Sequence, residues 1–273
     1  AAPDGATIYV MSDVEMNQMA WVWEKELTIT SYGVDPVTLS RGENFHTNAD
    51  PARQRYNPAM IEVGGETEQG TVSSLILTHI ILDDMGKYEG EYFVQADSEG
   101  DGETTVSRSE VPNTSIVQDA IIATYNGMGT ITLGDGAELR NYGGMSAVRL
   151  SGGELIMEEG SAILDTTENE REKGASGSFG PAGAVWLQGG ILTMNGGTIG
   201  GDKGVMMNGR ALYADGGTAN IGGTIQNIHG TDAAWQGQNG VAVHLRSHGE
   251  ATLASTGEIT NVTGTNAGNN CAI

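Results

Sequence analysis

A single cysteine, Cys271, occurs in the 273 residues, so no internal disulfide can form. Repeat stacks need no such staples, and an extracellular address stays open. Basic residues are also scarce: 13 Lys and Arg stand against 35 Asp and Glu, for a net charge of −22. So acidic a surface repels nucleic-acid phosphates and anionic membranes, which sets both aside as partners, while it favours solubility and attracts cations. No apolar run approaches the roughly 18 residues expected of a membrane span, so no membrane insertion is expected. The opening Ala1-Ala2-Pro3-Asp4-Gly5 lacks the charged and apolar regions of an export signal. Aromatic residues are only 5% of the chain, and its 42 glycines follow no Gly-X-Y period, so a collagen-like chain is excluded and a turn-rich β architecture remains.

What the sequence does have is a repeat. Ala184-Val185-Trp186-Leu187-Gln188-Gly189-Gly190-Ile191-Leu192-Thr193-Met194 consists of two short alternating runs joined by a Gly-Gly corner. The same grammar recurs from Ala147, Ala211 and Ala242, with a fainter copy from Ala120, at start-to-start steps of 27, 37, 27 and 31 residues. Such periods mark solenoids or propellers. A propeller blade needs four antiparallel strands, whereas each period here holds three short strands and no hairpin return, so a parallel β-helix fits better. Setting the copies on one another yields five apolar interior columns, headed by Val148, Leu150, Ile131, Leu133 and Leu139. Two positions after the third-strand column stand Asn141, Asp165, Asn227 and Asn261, with Gly201 interrupting. Asparagine tolerates the left-handed conformation of a tight corner and can tie successive backbones together.

The exterior of the first strand carries the candidate site. Glu62, Ile122, Arg149, Trp186, Tyr213 and His244 are expected in one outward column, and Thr124, Ser151, Gln188, Asp215 and Arg246 beside it. The insertions Ser40 to Pro58, Asp84 to Gln118, Thr166 to Gly183 and His229 to Gly240 all enter just before this strand, and the last contributes Trp235 to the candidate strip. Loops placed repeatedly at one corner wall a face that repeat proteins often use for binding. Aromatic surface flanked by hydrogen-bonding groups suits a sugar ring or a peptide anchor. The plainer reading is that these aromatics pack under loops, with Arg149 lying over Trp186 as a cation–π pair.

Other chemistry is thin. Asp83-Asp84, the loop acids Asp97, Glu99, Asp101 and Glu103, and Asp165 with Glu168, Glu170 and Glu172 supply oxygen ligands suited to calcium, but without an EF-hand or nonapeptide pattern, and solvated loop charge is the default. No other cofactor is indicated. His46, His79, His229, His244 and His248 show no metal-ligand spacing, and no paired carboxylates for hydrolysis fall together.

Thr7-Ile8-Tyr9-Val10-Met11 and Leu27-Thr28-Ile29-Thr30-Ser31 alternate as strands. Between them, Val14 to Lys25 reads as a strand or as a short helical or irregular cap over the end of the stack. A hairpin is expected at Gly90 to Val94. Residues 1–264 are therefore expected to form one domain, with 1–26 as N-terminal strand and cap, and 265–273 as a linker or the start of a further coil.

Leu27-Thr28-Ile29-Thr30-Ser31, Ser74-Leu75-Ile76-Leu77-Thr78-His79-Ile80-Ile81-Leu82-Asp83-Asp84 and the later Gly-Gly-x-Leu-x-Met-x-x-Gly copies resemble the pectate-lyase-like right-handed parallel β-helix domains of bacterial cell-surface proteins, especially of Gram-positive gut organisms. The resemblance spans most of the chain. It implies an all-β, single-stranded solenoid with three short strands per coil and one-sided insertions, in a secreted or wall-anchored multidomain parent. Such domains include adhesins, autotransporter passengers and phage tailspikes as well as polysaccharide lyases. Neither a signal peptide nor an LPxTG-type motif occurs in the chain, so anchoring is what the resemblance alone implies. The expected function is a non-catalytic surface adhesin or recognition module for a host glycan or extracellular protein. A polysaccharide lyase or glycoside hydrolase and a structural stalk are the alternatives.

Overall fold

The computed structural model describes residues 1–46, 59–64, 73–85, 92–95, 106–109, 120–125, 129–142, 146–164, 183–201, 207–208, 210–230, 241–246 and 248–264. Among them there is no helix, and all strand pairing but one is parallel. Hydrogen bonds gather the strands into a 13-stranded and a 9-stranded parallel sheet and one antiparallel pair.

The chain visits three parallel ladders in an unvarying order. The first ladder stacks Ala20–Trp23, Ala59–Gly64, Ala120–Tyr125, the first halves of Ser146–Met157 and Val185–Met194, Arg210–Asp215 and Val241–Arg246. The second stacks Ala6–Val10, Glu26–Ser31, Ser73–Thr78, Gly129–Leu133, the second halves of the same two long strands, Thr218–Ile221 and Glu250–Leu253. Because those two strands run through the Gly-Gly corner unbroken, the first and second ladders form one sheet. The third ladder, from Val14–Gln18 to Glu258–Gly264, is the separate 9-stranded sheet. The hairpin expected near Gly90 is Tyr92–Gln95 paired with Val106–Ser109.

The five apolar columns pair as the repeat indicates. Val148, Val185, Leu212 and Val243 are partners in successive strands, as are Leu150, Leu187, Ala214 and Leu245. Ile131, Leu155, Leu192, Ala219 and Ala251 follow, beside Leu133, Met157, Met194, Ile221 and Leu253. Leu139, Ile163, Ile199, Ile225 and Ile259 complete the set. All of these side chains but Leu245 and Leu253, which are exposed, belong to one continuous core, in which each strand's inward residues are covered by the strands on either side.

Two expectations need correction. Ile122 does not face outward: it pairs with Ile61 and Val148 and is buried, and Ala123 takes the outward place beside Glu62 and Arg149. The faint copy was offset by one residue, since Ala120 pairs with Ser146 rather than Ala147, and a one-residue slip exchanges the faces of a strand. Thr124 is likewise interior, paired with Val63; its hydroxyl donates to Gly152 O at 2.7 Å and accepts the Ser151 N–H at 3.2 Å. Of the readings open for Val14 to Lys25, the strand is the one found: Val14–Gln18 and Ala20–Trp23 are strands, the outermost described ones of the third and first ladders.

The corner asparagines behave as their chemistry requires. Asn141, Asn227 and Asn261 have φ of 54°, 54° and 49°. Asn261 Nδ2 donates to Asn227 Oδ1 at 2.6 Å, and Asn227 Nδ2 to Gly201 O at 2.6 Å. Gly201 thus continues the series with its carbonyl; Asp165 lies outside the described residues. Asn227→Ala should cost about 1–2 kcal/mol, because alanine is poor in the left-handed region and the corner bonds are lost. Asn227→Gly, which keeps that conformation, should cost roughly half as much; urea midpoints of the two variants check this.

Candidate functional site

The outward column of the first ladder runs Trp21, Glu62, Ala123, Arg149, Trp186, Tyr213, His244. Parallel pairing sets these side chains roughly 4.8 Å apart along the stack. Trp186 and Tyr213 ring centroids are 6.4 Å apart with planes at 35°, and Tyr213 and His244 are 5.1 Å apart at 64°. The Arg149 guanidinium stands 6.0 Å from the Trp186 ring, and that of Arg210 is 5.1 Å from the Tyr213 ring. Arg246 Nη1 donates to Tyr213 Oη at 3.3 Å.

The column divides into a covered and an open half. Glu62, Arg149 and Trp186 are 4%, 1% and 6% exposed, whereas Tyr213 and His244 are half-buried and Arg246 and Gln188 are exposed. Asp215 is half-buried and pairs with Arg246 in the ladder. Gln188 has no counterpart in the preceding strand: Ser151 pairs with Gly189 across a register shift, leaving Gln188 as the extra residue of a bulge that opens toward solvent. Trp235 and the acids Asp97, Glu99, Asp101 and Glu103 lie outside the described residues.

Three ionisable groups of the strip are perturbed. Burial pushes the Arg210 guanidinium below its ordinary pKa, with the Tyr213 hydroxyl acting in the opposite direction. His244 is held below the ordinary imidazole value by burial first, then by the positive charges of Arg210 and Arg246, against the opposing Asp215. Hydrogen bonding to Tyr213 raises Arg246. Arg210 and Arg246 thus set two positive charges beside His244, with Asp215 opposing them. Trp186 Nε1 and His244 Nδ1 are buried and have no hydrogen-bond partner among the described residues.

Among the described residues, the strip offers no pair of carboxylates at hydrolase spacing. Glu62 and the strand bearing Asp215 stand four strands apart, roughly 19 Å, against about 5–10 Å for the acids of a glycoside hydrolase. The acid pair Asp83-Asp84 lies elsewhere, at the end of a third-ladder strand. Asp83 accepts from Arg140 Nε at 2.7 Å and from Asn141 Nδ2 at 3.0 and 3.1 Å, and Asp84 is ion-paired with Arg41. Both therefore serve the fold through arginine partners. Among the described residues, no group of three or more His, Cys, Asp or Glu is placed to share a cation.

Sequence reasoning missed Trp21, Ala123 and Arg210. The phase of Ala20-Trp21-Val22-Trp23 matches that of Met60-Ile61-Glu62-Val63 and so held the signal for Trp21. Arg210 begins its strand, where no periodicity indicates its surroundings.

Comparison with protein-family models, with curated proteins and with solved structures gives no match, so residues and geometry alone carry the functional argument.

Proposed function

We propose that the chain is a pectate-lyase-like, single-stranded right-handed parallel β-helix with three short strands per coil, serving as a non-catalytic recognition module on a bacterial surface protein. Its ligand is a host glycan or extracellular protein, held on the open half of the first-ladder strip, and no cofactor takes part. The invariant order of the three ladders supports the architecture. The observation that carries the function is the juxtaposition of the half-buried Tyr213 and His244 rings with exposed Arg246 and Gln188, an apolar platform edged by hydrogen-bonding groups.

Tyr213→Ala and Arg246→Ala should each weaken binding to a responsive glycan or mucin about tenfold, equivalent to about 1.4 kcal/mol. Trp186→Ala is the poorer probe because its buried ring supports the fold. Glycan-array and mucin-binding measurements in which both variants match the wild type would remove the strip from consideration.

The burial of Glu62, Arg149 and Trp186 supports a second reading, a structural stalk holding another domain away from the cell. The stalk predicts no ligand for the wild-type chain in the same measurements. Release of unsaturated or reducing sugar ends from pectin, alginate or mucin would instead establish an enzyme.

A further inference from the structure

Taking the open half of the first-ladder strip as the recognition surface, we propose that its ligand is a glycan end bearing a single carboxylate, which docks on the Arg246 guanidinium and the Tyr213 hydroxyl. The hydrogen bonds of the strip run in one direction. Arg246 Nη1 donates to Tyr213 Oη at 3.3 Å. A guanidinium donates only, and a phenol oxygen that accepts from it still has its own proton to give. Arg246 is exposed, and Asp215, its neighbour in the ladder, acts on it through charge.

On either side of Tyr213 in the column stand Trp186 and His244. Trp186 is 6% exposed, and its Nε1, a group that only donates, has no hydrogen-bond partner among the described residues. His244 Nδ1 is buried and equally without one. Buried polar groups are ordinarily hydrogen-bonded, so these two ring nitrogens mark where a bound molecule completes the structure. With the Arg246 N–H groups, the Tyr213 O–H and the Trp186 N–H all donating, the complementary molecule is rich in acceptor oxygens.

A carboxylate meets that demand best. Its two oxygens match the planar fork of an arginine, and the bonds are charge-assisted. Trp186 and His244 are two strands apart, roughly 9.6 Å, so one substituted sugar reaches from one to the other across Tyr213. The Tyr213 and His244 rings, 5.1 Å between centroids, offer apolar edges to its C–H groups. The chain's own charge limits how many carboxylates the ligand carries. At a net charge of −22 a polyuronide is repelled by the molecule as a whole, whereas one terminal carboxylate meets only the strip. Outward side chains stand perpendicular to the sheet, so whatever lies beside Val241–Arg246 extends this face and does not cover it.

Surface plasmon resonance of the full chain on a mucin tests the proposal, with the mucin untreated, with its carboxylates converted to methyl esters, and with its carboxylate-bearing sugars removed enzymatically. Affinity should fall at least tenfold in both treated forms. Arg246→Ala and Tyr213→Phe should each weaken binding to untreated mucin about tenfold and leave the residual binding to the methyl ester unchanged, because the interaction each removes depends on the carboxylate. Polygalacturonate should compete less well, per carboxylate, than monomeric galacturonic acid. Equal affinity for untreated and esterified mucin, with Arg246→Ala still weaker than wild type, would overturn the carboxylate and leave the strip as the site of a neutral ligand. Binding that survives removal of the acidic sugars would assign the strip to a neutral sugar or a protein, and loss of binding on desulfation alone would assign it to a sulfate; either overturns the proposal. A wild-type chain that binds neither mucin nor any arrayed glycan would remove the recognition surface and the carboxylate with it.

Discussion

Leu133→Ala is expected to lower the unfolding free energy by about 3 kcal/mol, while Leu253→Ala, in the same column, costs less than about 1 kcal/mol. Both are leucines facing the core from the second ladder, and they differ only in what lies on either side. Leu133 is flanked by Leu77 and Met157 and has no exposed surface; truncation leaves a cavity between strands locked by ladder hydrogen bonds, which cannot collapse onto it. Leu253 is flanked on one side only, by Ile221, and water already reaches the other, so its removal forfeits less transfer energy and creates no closed void. Because a stack of this kind is stabilised strand by strand through nearest neighbours, local opening is the informative quantity. Amide hydrogen exchange around Gly129–Leu133 should accelerate about 100-fold in Leu133→Ala and remain near wild type in Leu253→Ala. Equal effects of the two substitutions would show that the column is not buried as described.

The second large effect separates two adjacent glycines. Gly190→Ala should destabilise by about 3 kcal/mol, and Gly189→Ala by no more than about 0.5 kcal/mol. Gly190 has φ of 81°, where a side chain alone costs about 1–2 kcal/mol, and a Cβ there would lie 2.6 Å from Gly153 O and 2.8 Å from Gly152 C. Those are backbone atoms of the preceding strand, so relief requires the ladder itself to move. The same corner repeats above and below: a Cβ on Gly153 would strike Gly129 O, and one on Gly217 would strike Gly190 O at 2.5 Å. A displacement at Gly190 is therefore passed to both neighbours. Gly189, with Ser151 O at 3.5 Å and no left-handed φ, accepts a methyl group in ordinary contact. Chemical denaturation of the two variants, with near-ultraviolet circular dichroism reporting Trp186 beside the corner, distinguishes them.

These glycines also show how the sequence can be read. Gly-Gly pairs at 152–153, 189–190 and 216–217 mark corners, but only the path of the chain reveals that Gly153, Gly190 and Gly217 lie at φ of 76°, 81° and 77° against the backbone of the preceding strand, and that Gly216, at 109°, is constrained as well while Gly189 is not. Where a copy alternates cleanly, as in Ile131-Thr132-Leu133, the phase of one strand sets the phase of its neighbours, because burial of one face admits a single register. Ala120-Ile121-Ile122-Ala123 is apolar on both faces and carries no such information, which is why Ile122 and Ala123 exchanged places. Likewise, Arg149 and Arg246 are both outward-facing arginines on the first ladder, yet Arg149 is buried against Trp186 while Arg246 is solvated beside Tyr213.

The sequence by itself determined the β class, the repeat, the five apolar columns and the left-handed corner asparagines. Each follows from rules that act within a few residues: side-chain alternation, glycine and asparagine backbone freedom, and burial of apolar positions. Tertiary structure alone decided which half of the Arg149–Trp186–Tyr213–His244 strip is covered, and that Asp83 and Asp84 belong to arginines. Those outcomes depend on which residues distant in sequence come to lie within one side chain's reach, and alternation along a single strand holds no record of it.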